Sequence, residues 1–207
     1  MPKFAAGIVI TVALLAVVVQ LALPAFYEGR VEDRLEEKGG SADVSIGAFP
    51  AVTLVAGSGS ELKATGRGLT FDLDDRREDP FGRLDGFDDV DLELTDVNAG
   101  AIRMSDFVLR REGRDSEYDM RVTARATPVE LAQELGSAAG GPLGGLVGSL
   151  ATGLLPGSGS TEIPLDLDAR VRSRDGRPDV IDAQGSVGGI PAGPLAEVVL
   201  GAVLDRL

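Results

Sequence analysis

The chain is expected to be an α+β protein: an antiparallel sheet covered on one face by helices, with one transmembrane helix ahead of it. Three observations in the sequence predict this. An uncharged apolar run stands at the amino terminus, several later segments alternate apolar and charged residues, and two of the strand patterns lead into proline-headed helical patterns.

The apolar run is AAGIVITVALLAVVVQLALPA, Ala5 to Ala25. At about 1.5 Å rise per residue it spans a hydrocarbon core of roughly 30 Å. It is longer than the core of an export signal and lacks a clean A-x-A cleavage pattern, which favours a retained anchor over a removed signal. Lys3 precedes it, whereas FYEGRVEDRLEEK after it is net acidic, so the rest of the chain is expected outside the cytoplasm on a single-pass cell-membrane protein. Residues 1–26 thus read as an anchor. Residues 27–41 read as a juxtamembrane helix, with Tyr27, Val31 and Leu35 at helical spacing and Gly39-Gly40 as the stop.

From about Ala42 to the end of the chain, residues 42–207 read as one extracytoplasmic domain. In DVDLELTD, Val90, Leu92 and Leu94 alternate with acids. In EYDMRVTARA, Tyr118, Met120, Val122, Ala124 and Ala126 share a face opposed by Asp119, Arg121, Thr123 and Arg125. In TEIPLDLDARVRSRDG, Ile163, Leu165, Leu167 and Val171 oppose Asp166, Asp168, Arg170 and Arg172, and Pro164 suits a strand start or an edge. Ile102 and Met104 continue the apolar face. Helices are expected from Thr127-Pro128-Val129-Glu130, a capping box, and in PLAEVVLGAVLDRL at the carboxyl end. Between them, Leu143, Leu146, Val147 and Leu150 keep a helical stripe among many glycines, as a loose helix plugging the core or a lip against acyl chains.

Composition removes whole classes of chemistry. With no histidine and no cysteine there is no Ser-His-Asp triad, no thiol nucleophile and no ordinary zinc site. A formal charge of −13 with 4% aromatics argues against nucleic acid. The stretch AFPAVTLVAGSGSELKATGRG matches neither GxxxxGK[ST] nor GxGxxG, so its glycines read as a bend between strands, with Val52 and Leu54 before it and Leu62 after it as strand residues. The acidic runs DLDDRREDP and DGFDDVDLE read as solvated loops rather than calcium sites, since the first carries Arg77 where an EF-hand loop needs glycine. No metal and no cofactor is expected, and no enzyme activity.

Strands with one greasy face and few large aromatics can enclose an elongated apolar groove, which suits a lipid. Its lining would come from Val52, Leu54, Leu62, Val90, Leu92, Leu94, Ile102, Met104, Met120, Val122, Leu143, Leu146, Val147, Leu150, Ile163, Leu165, Leu167 and Val171, with Arg103, Arg110 and Arg111 as candidate rim cations for a phosphate.

FYEGRVEDRLEEKGG followed by VSIGAFPAVTLVAGSGSELKATGRGLTF, with Phe49-Pro50, Gly57 and Gly68 as its marks, resembles the LmeA-like phospholipid-binding proteins of actinobacteria. That resemblance implies a tubular-lipid-binding-like fold, a curved antiparallel sheet wrapped around amphipathic helices, and a role in envelope lipid or lipoglycan assembly with phospholipid as partner. Two other readings stand beside it. One is a structural module docking envelope proteins on its charged face; the other is a carboxylate-based hydrolase.

Overall fold

The computed structural model describes residues 2–71, 81–100, 102–127 and 162–191, and for residues 2–17, 21 and 190 the backbone alone. One helix, α1 (Pro2–Glu36), precedes a nine-stranded sheet. The strands are β1 (Ser41–Gly47), β2 (Gly59–Arg67), β3 (Thr70–Phe71), β4 (Phe87–Ala99), β5 (Ile102–Arg111), β6 (Tyr118–Ala126), β7 (Ile163–Arg174), β8 (Arg177–Val187) and β9 (Ile190–Pro191). Their order is β1-β2-β4-β5-β6-β7-β8-β9, and β3 pairs with β4 beyond the end of β2. The sheet is curved and open.

The expected purely antiparallel sheet is corrected to a mixed one. β2 and β3 both run parallel to β4, because the chain returns after Phe71 to the end at which β2 began before β4 starts. A parallel pair needs a long crossover, and no period in the strands themselves announces one. The remaining pairings are antiparallel.

One continuous helix, Pro2–Glu36, runs across the expected boundary between residues 26 and 27, with Gly39 and Gly40 at positive φ just beyond it. Pro24 lies inside it. Among the described residues no helix is long and apolar enough to cross a membrane; most of the apolar run falls on residues whose side chains are not described. The helices expected from Thr127 and at the carboxyl end, and the stripe Leu143, Leu146, Val147 and Leu150, also lie outside the described residues.

α1 lies antiparallel along β1 and covers its free edge. Leu23, Tyr27, Val31 and Leu35, four residues apart, pack on the core. One step round the helix, Glu28, Glu32 and Glu36 accept hydrogen bonds from the backbone N–H groups of Ile46 (2.8 Å), Val44 (2.9 Å) and Ala42 (2.7 Å). A helical four-residue step advances about 6 Å, close to the two-residue step of a strand, so the carboxylates meet every outward-pointing donor of the edge. Unpaired edges invite pairing with other chains, and this ladder closes one.

β1 and β2 are joined by a 3-10 turn, η1 (Ala51–Ala56), which ends at Gly57 with φ +73°. Val52 and Leu54, expected on a strand, sit on η1 instead: Phe49-Pro50, a cis peptide bond, and the six residues after it leave the sheet before β2 begins. Leu54 is buried and Val52 is 57% exposed. The expected bend around the glycines is present; it is longer than expected. A second short turn, η2 (Leu84–Gly86), packs directly on the end of η1, where a Cβ on Gly86 would come within 1.9 Å of the Gly57 carbonyl oxygen.

Candidate functional site

The strand registers align the inner face in transverse rows. Val44, Ala64, Leu92, Leu109, Met120, Ala169 and Ala183 face one another in sequence across seven strands. The next row runs Ala42, Gly66, Leu94, Phe107, Val122, Leu167 and Gly185, and a third, across five strands, Val97, Met104, Ala124, Leu165 and Val187. These rows contain no charged residue and only small side chains on β2, in keeping with a smooth apolar surface. Asp96, with φ +53°, interrupts the period and lets Val97 and Ala99 return to the face that Val90, Leu92 and Leu94 occupy.

Of the residues expected to line a groove, Leu62, Val90, Ile102, Met104, Met120, Val122, Leu165, Leu167 and Val171 are buried on this face, and Leu92, Leu94 and Ile163 pack against it half-buried. The alternation in DVDLELTD, EYDMRVTARA and TEIPLDLDARV therefore marks the buried side of each strand. Tyr118, placed with Met120 by the alternation in EYDMRVTARA, is buried there too; Phe107 and Leu109 also belong to the face, and the alternation in DFVLRR carries their signal.

The outer face is the electrostatic complement. Asp91, Arg110, Asp119, Arg170 and Asp182 follow one another across five strands with alternating sign. Arg110 donates to Asp91 at 2.9 Å and also pairs with Glu93, and these partners raise its pKa, the hydrogen bond to Asp91 first. Arg121 meets Asp168 at 2.8 Å, and Arg172 meets Glu117 at 2.6 Å. Arg103 pairs with Glu162. A depression of about 660 Å³ on this face is lined by Arg110, Arg121, Arg170, Asp168, Asp182 and Gln184 among others.

Arg111 is corrected from an exposed rim cation to a buried group. Its side chain is 2% exposed. It occupies the inner face at the η1 end of the sheet, in the row of Ile46, Leu62 and Val90. Its Nη1 donates to Asp85 at 3.2 Å, its Nη2 donates to the Leu84 and Phe87 carbonyls, and its guanidinium lies 4.5 Å from the Tyr118 ring centroid. Its Nε has no partner. Asp85 also accepts from the Tyr118 hydroxyl at 2.9 Å and from Ser173, and Phe81 meets the Tyr118 ring edge-on at 4.8 Å. Burial pushes the Tyr118 hydroxyl well above its ordinary value; Arg111 opposes this and the bond to Asp85 adds to it. The sequence offered no sign of this cluster, since Asp85 and Arg111 are far apart in the chain.

The carboxylates of DGFDDVDLE are engaged within the protein: Asp85 by Arg111, Asp88 by Arg114, Asp89 by the Gly113 N–H and Asp91 by Arg110. Among the described residues no three His, Cys, Asp or Glu side chains are grouped to hold a metal ion. DLDDRREDP lies outside the described residues.

The family model described as LmeA-like phospholipid-binding matches residues 18–207, from within α1 to the last residue. Neither a curated protein nor a solved structure matches the chain.

Proposed function

Because the chain belongs to the LmeA-like phospholipid-binding family, we propose that it is a membrane-anchored extracytoplasmic protein that binds phospholipid along the inner face of its sheet, accessory to envelope lipid or lipoglycan assembly. The observation that carries this reading is the set of uncharged rows across the inner face, beginning with Val44, Ala64, Leu92, Leu109 and Met120. Acyl chains gain roughly 0.8 kcal/mol per buried methylene against such a surface, and its small side chains on β2 give a chain room to lie flat. The anchor is the run Ala5–Ala25, continued by α1 into the edge of the sheet. The fold in this reading is tubular-lipid-binding-like, and the protein acts by binding rather than by catalysis.

The test uses the full chain in vesicles that contain a phospholipid with a photoactivatable acyl chain. Adducts on peptides carrying Ala64, Leu92 and Met120 support the reading; adducts confined to residues 1–26 overturn it. A second reading, a module that docks an envelope protein on the charged outer face, is favoured by the depression lined by Arg110, Arg121 and Arg170. It would be supported if the inner face gives no lipid adduct while Arg121→Glu abolishes capture of a protein partner in the envelope.

A further inference from the structure

Among the described residues, three large apolar side chains are exposed together on one uncharged segment. Phe49 is 87% exposed, Val52 57% and Val55 67%, all on the connection between β1 and β2. From Val44 to Ser60 no residue carries a charge, in a chain where 26% of residues do. An exposed apolar cluster on this scale marks a contact surface.

What it contacts follows from how it is tied down. The Gln20 side chain accepts a hydrogen bond from the Ala51 N–H at 2.7 Å and donates one to the Ala48 carbonyl at 2.7 Å, holding the connection on both sides of Phe49-Pro50. Gln20 lies inside the uncharged run Ala5–Ala25, five residues before its end, which at about 1.5 Å per residue is some 7 Å along α1. Amphipathic elements at a membrane surface bury their apolar side about 5–10 Å into the boundary between headgroups and acyl chains. A polar amide at that depth needs both its donor and its acceptor satisfied from within the protein, and the backbone of the connection does this. Farther along α1, Glu28, Glu32 and Glu36 pin the helix to β1, so the end of β1 that carries η1 points the same way as the apolar run. Val18 and Val19, exposed on α1 beside Gln20, extend the apolar surface.

We infer that the segment from Phe49 to Ala56 is a lip that inserts Phe49, Val52 and Val55 into the interface of the phospholipid bilayer that α1 enters. This inference rests on the anchored reading above. The occupant is the bilayer surface, since the patch is continuous with the membrane-entering helix and carries neither charge nor hydrogen-bonding side chains beyond Thr53. With a net charge of −13 the protein gains nothing from an anionic surface, so the contact is apolar and insensitive to salt. The lip brings the η1 end of the sheet to the level at which acyl chains begin.

The chain has no cysteine, so single cysteines can be introduced without background. The full chain is reconstituted in phosphatidylcholine vesicles with an environment-sensitive fluorophore at Phe49→Cys, Val52→Cys or Val55→Cys, and at two reference sites, Leu14→Cys in the apolar run and Asp106→Cys on the outer face. Quenching by lipids that carry a shallow nitroxide is then measured. The expected result is loss of most of the emission at the three lip sites, unchanged between low and high salt, and no loss at Asp106→Cys. Quenching at Leu14→Cys by a deep nitroxide together with none at the lip overturns the lip and leaves the anchor standing. No quenching at Leu14→Cys overturns the anchored reading and the lip with it. Lip emission that depends on protein concentration instead of quencher assigns the patch to a second copy and also overturns the inference. Because three independent sites are read, misfolding of one variant does not decide the outcome.

Discussion

Arg110 and Arg111 are neighbours in the chain and opposites in the fold. Arg110 stands on the outer face, half in solvent, between Asp91 and Glu93. Arg111 points to the inner face, where its charge is held by Asp85, two backbone carbonyls and the Tyr118 ring. One residue of strand register separates them, and it reverses the dielectric surroundings of the same guanidinium. The outer arginine belongs to a lattice of exposed pairs, in which water and salt screen each contact. The inner one has traded water for a fixed set of partners, so each partner matters. Two charged residues of one type therefore serve different purposes: solubility across a sheet face, and closure of one end of an apolar surface.

The largest effect is expected from Arg111→Met, which keeps much of the side-chain volume but leaves Asp85 without its cation. Breaking a buried ion pair costs about 3–5 kcal/mol, and the low end applies because the Asp85 side chain remains 30% exposed. As the chain has no tryptophan, urea unfolding of the full chain in detergent followed by circular dichroism is the measurement. An unchanged midpoint would erase the contrast between the two arginines.

Tyr118→Phe sharpens the comparison with a smaller effect of about 1.5 kcal/mol at neutral pH, the scale of one hydrogen bond to a charged group. Its clearer signature is at high pH. The unfolded tyrosine ionises near pH 10, whereas burial keeps the folded hydroxyl protonated above that. The unfolded state then binds fewer protons than the folded one, so this stability is fully present below about pH 10 and is lost as the pH rises beyond it. The Tyr118→Phe variant should show a shallower alkaline decline in midpoint than the parent protein; parallel curves would remove the cluster as its cause.

The smallest effect is expected from Arg110→Ala. Its side chain is 54% exposed, and its loss should leave the unfolding midpoint nearly unchanged, with whatever difference appears at low salt vanishing at high salt. A large loss that persists in salt would mean that the alternating row from Asp91 to Asp182 acts as a unit.

The apolar face was legible because a strand repeats every two residues: Val90, Leu92, Met120, Val122, Leu165 and Leu167 could be assigned without knowing which strands are neighbours. Tyr27, Val31 and Leu35 were legible for the same reason at a helical period. Val52 and Leu54 were misread because a short apolar run has no period long enough to separate a strand from a 3-10 turn. The spacing of Gln20, Glu28, Glu32 and Glu36 was present in the sequence too, yet it gained meaning only once β1 lay beside it, since a helix stripe of acids ordinarily faces water.

The sequence by itself determined the local terms: an apolar run of membrane-spanning length, the faces of the strands, the absence of thiol and imidazole chemistry, and a family signature at Phe49-Pro50 and the glycines that follow. Only the tertiary structure decided which strands run parallel, that α1 closes an edge, that Arg111 is buried while Arg110 is not, and that Gln20 fixes an exposed apolar lip beside the run. Local periodicity encodes what each residue faces. Pairings between distant segments depend on the summed energy of many contacts, to which no single stretch of chain holds the key.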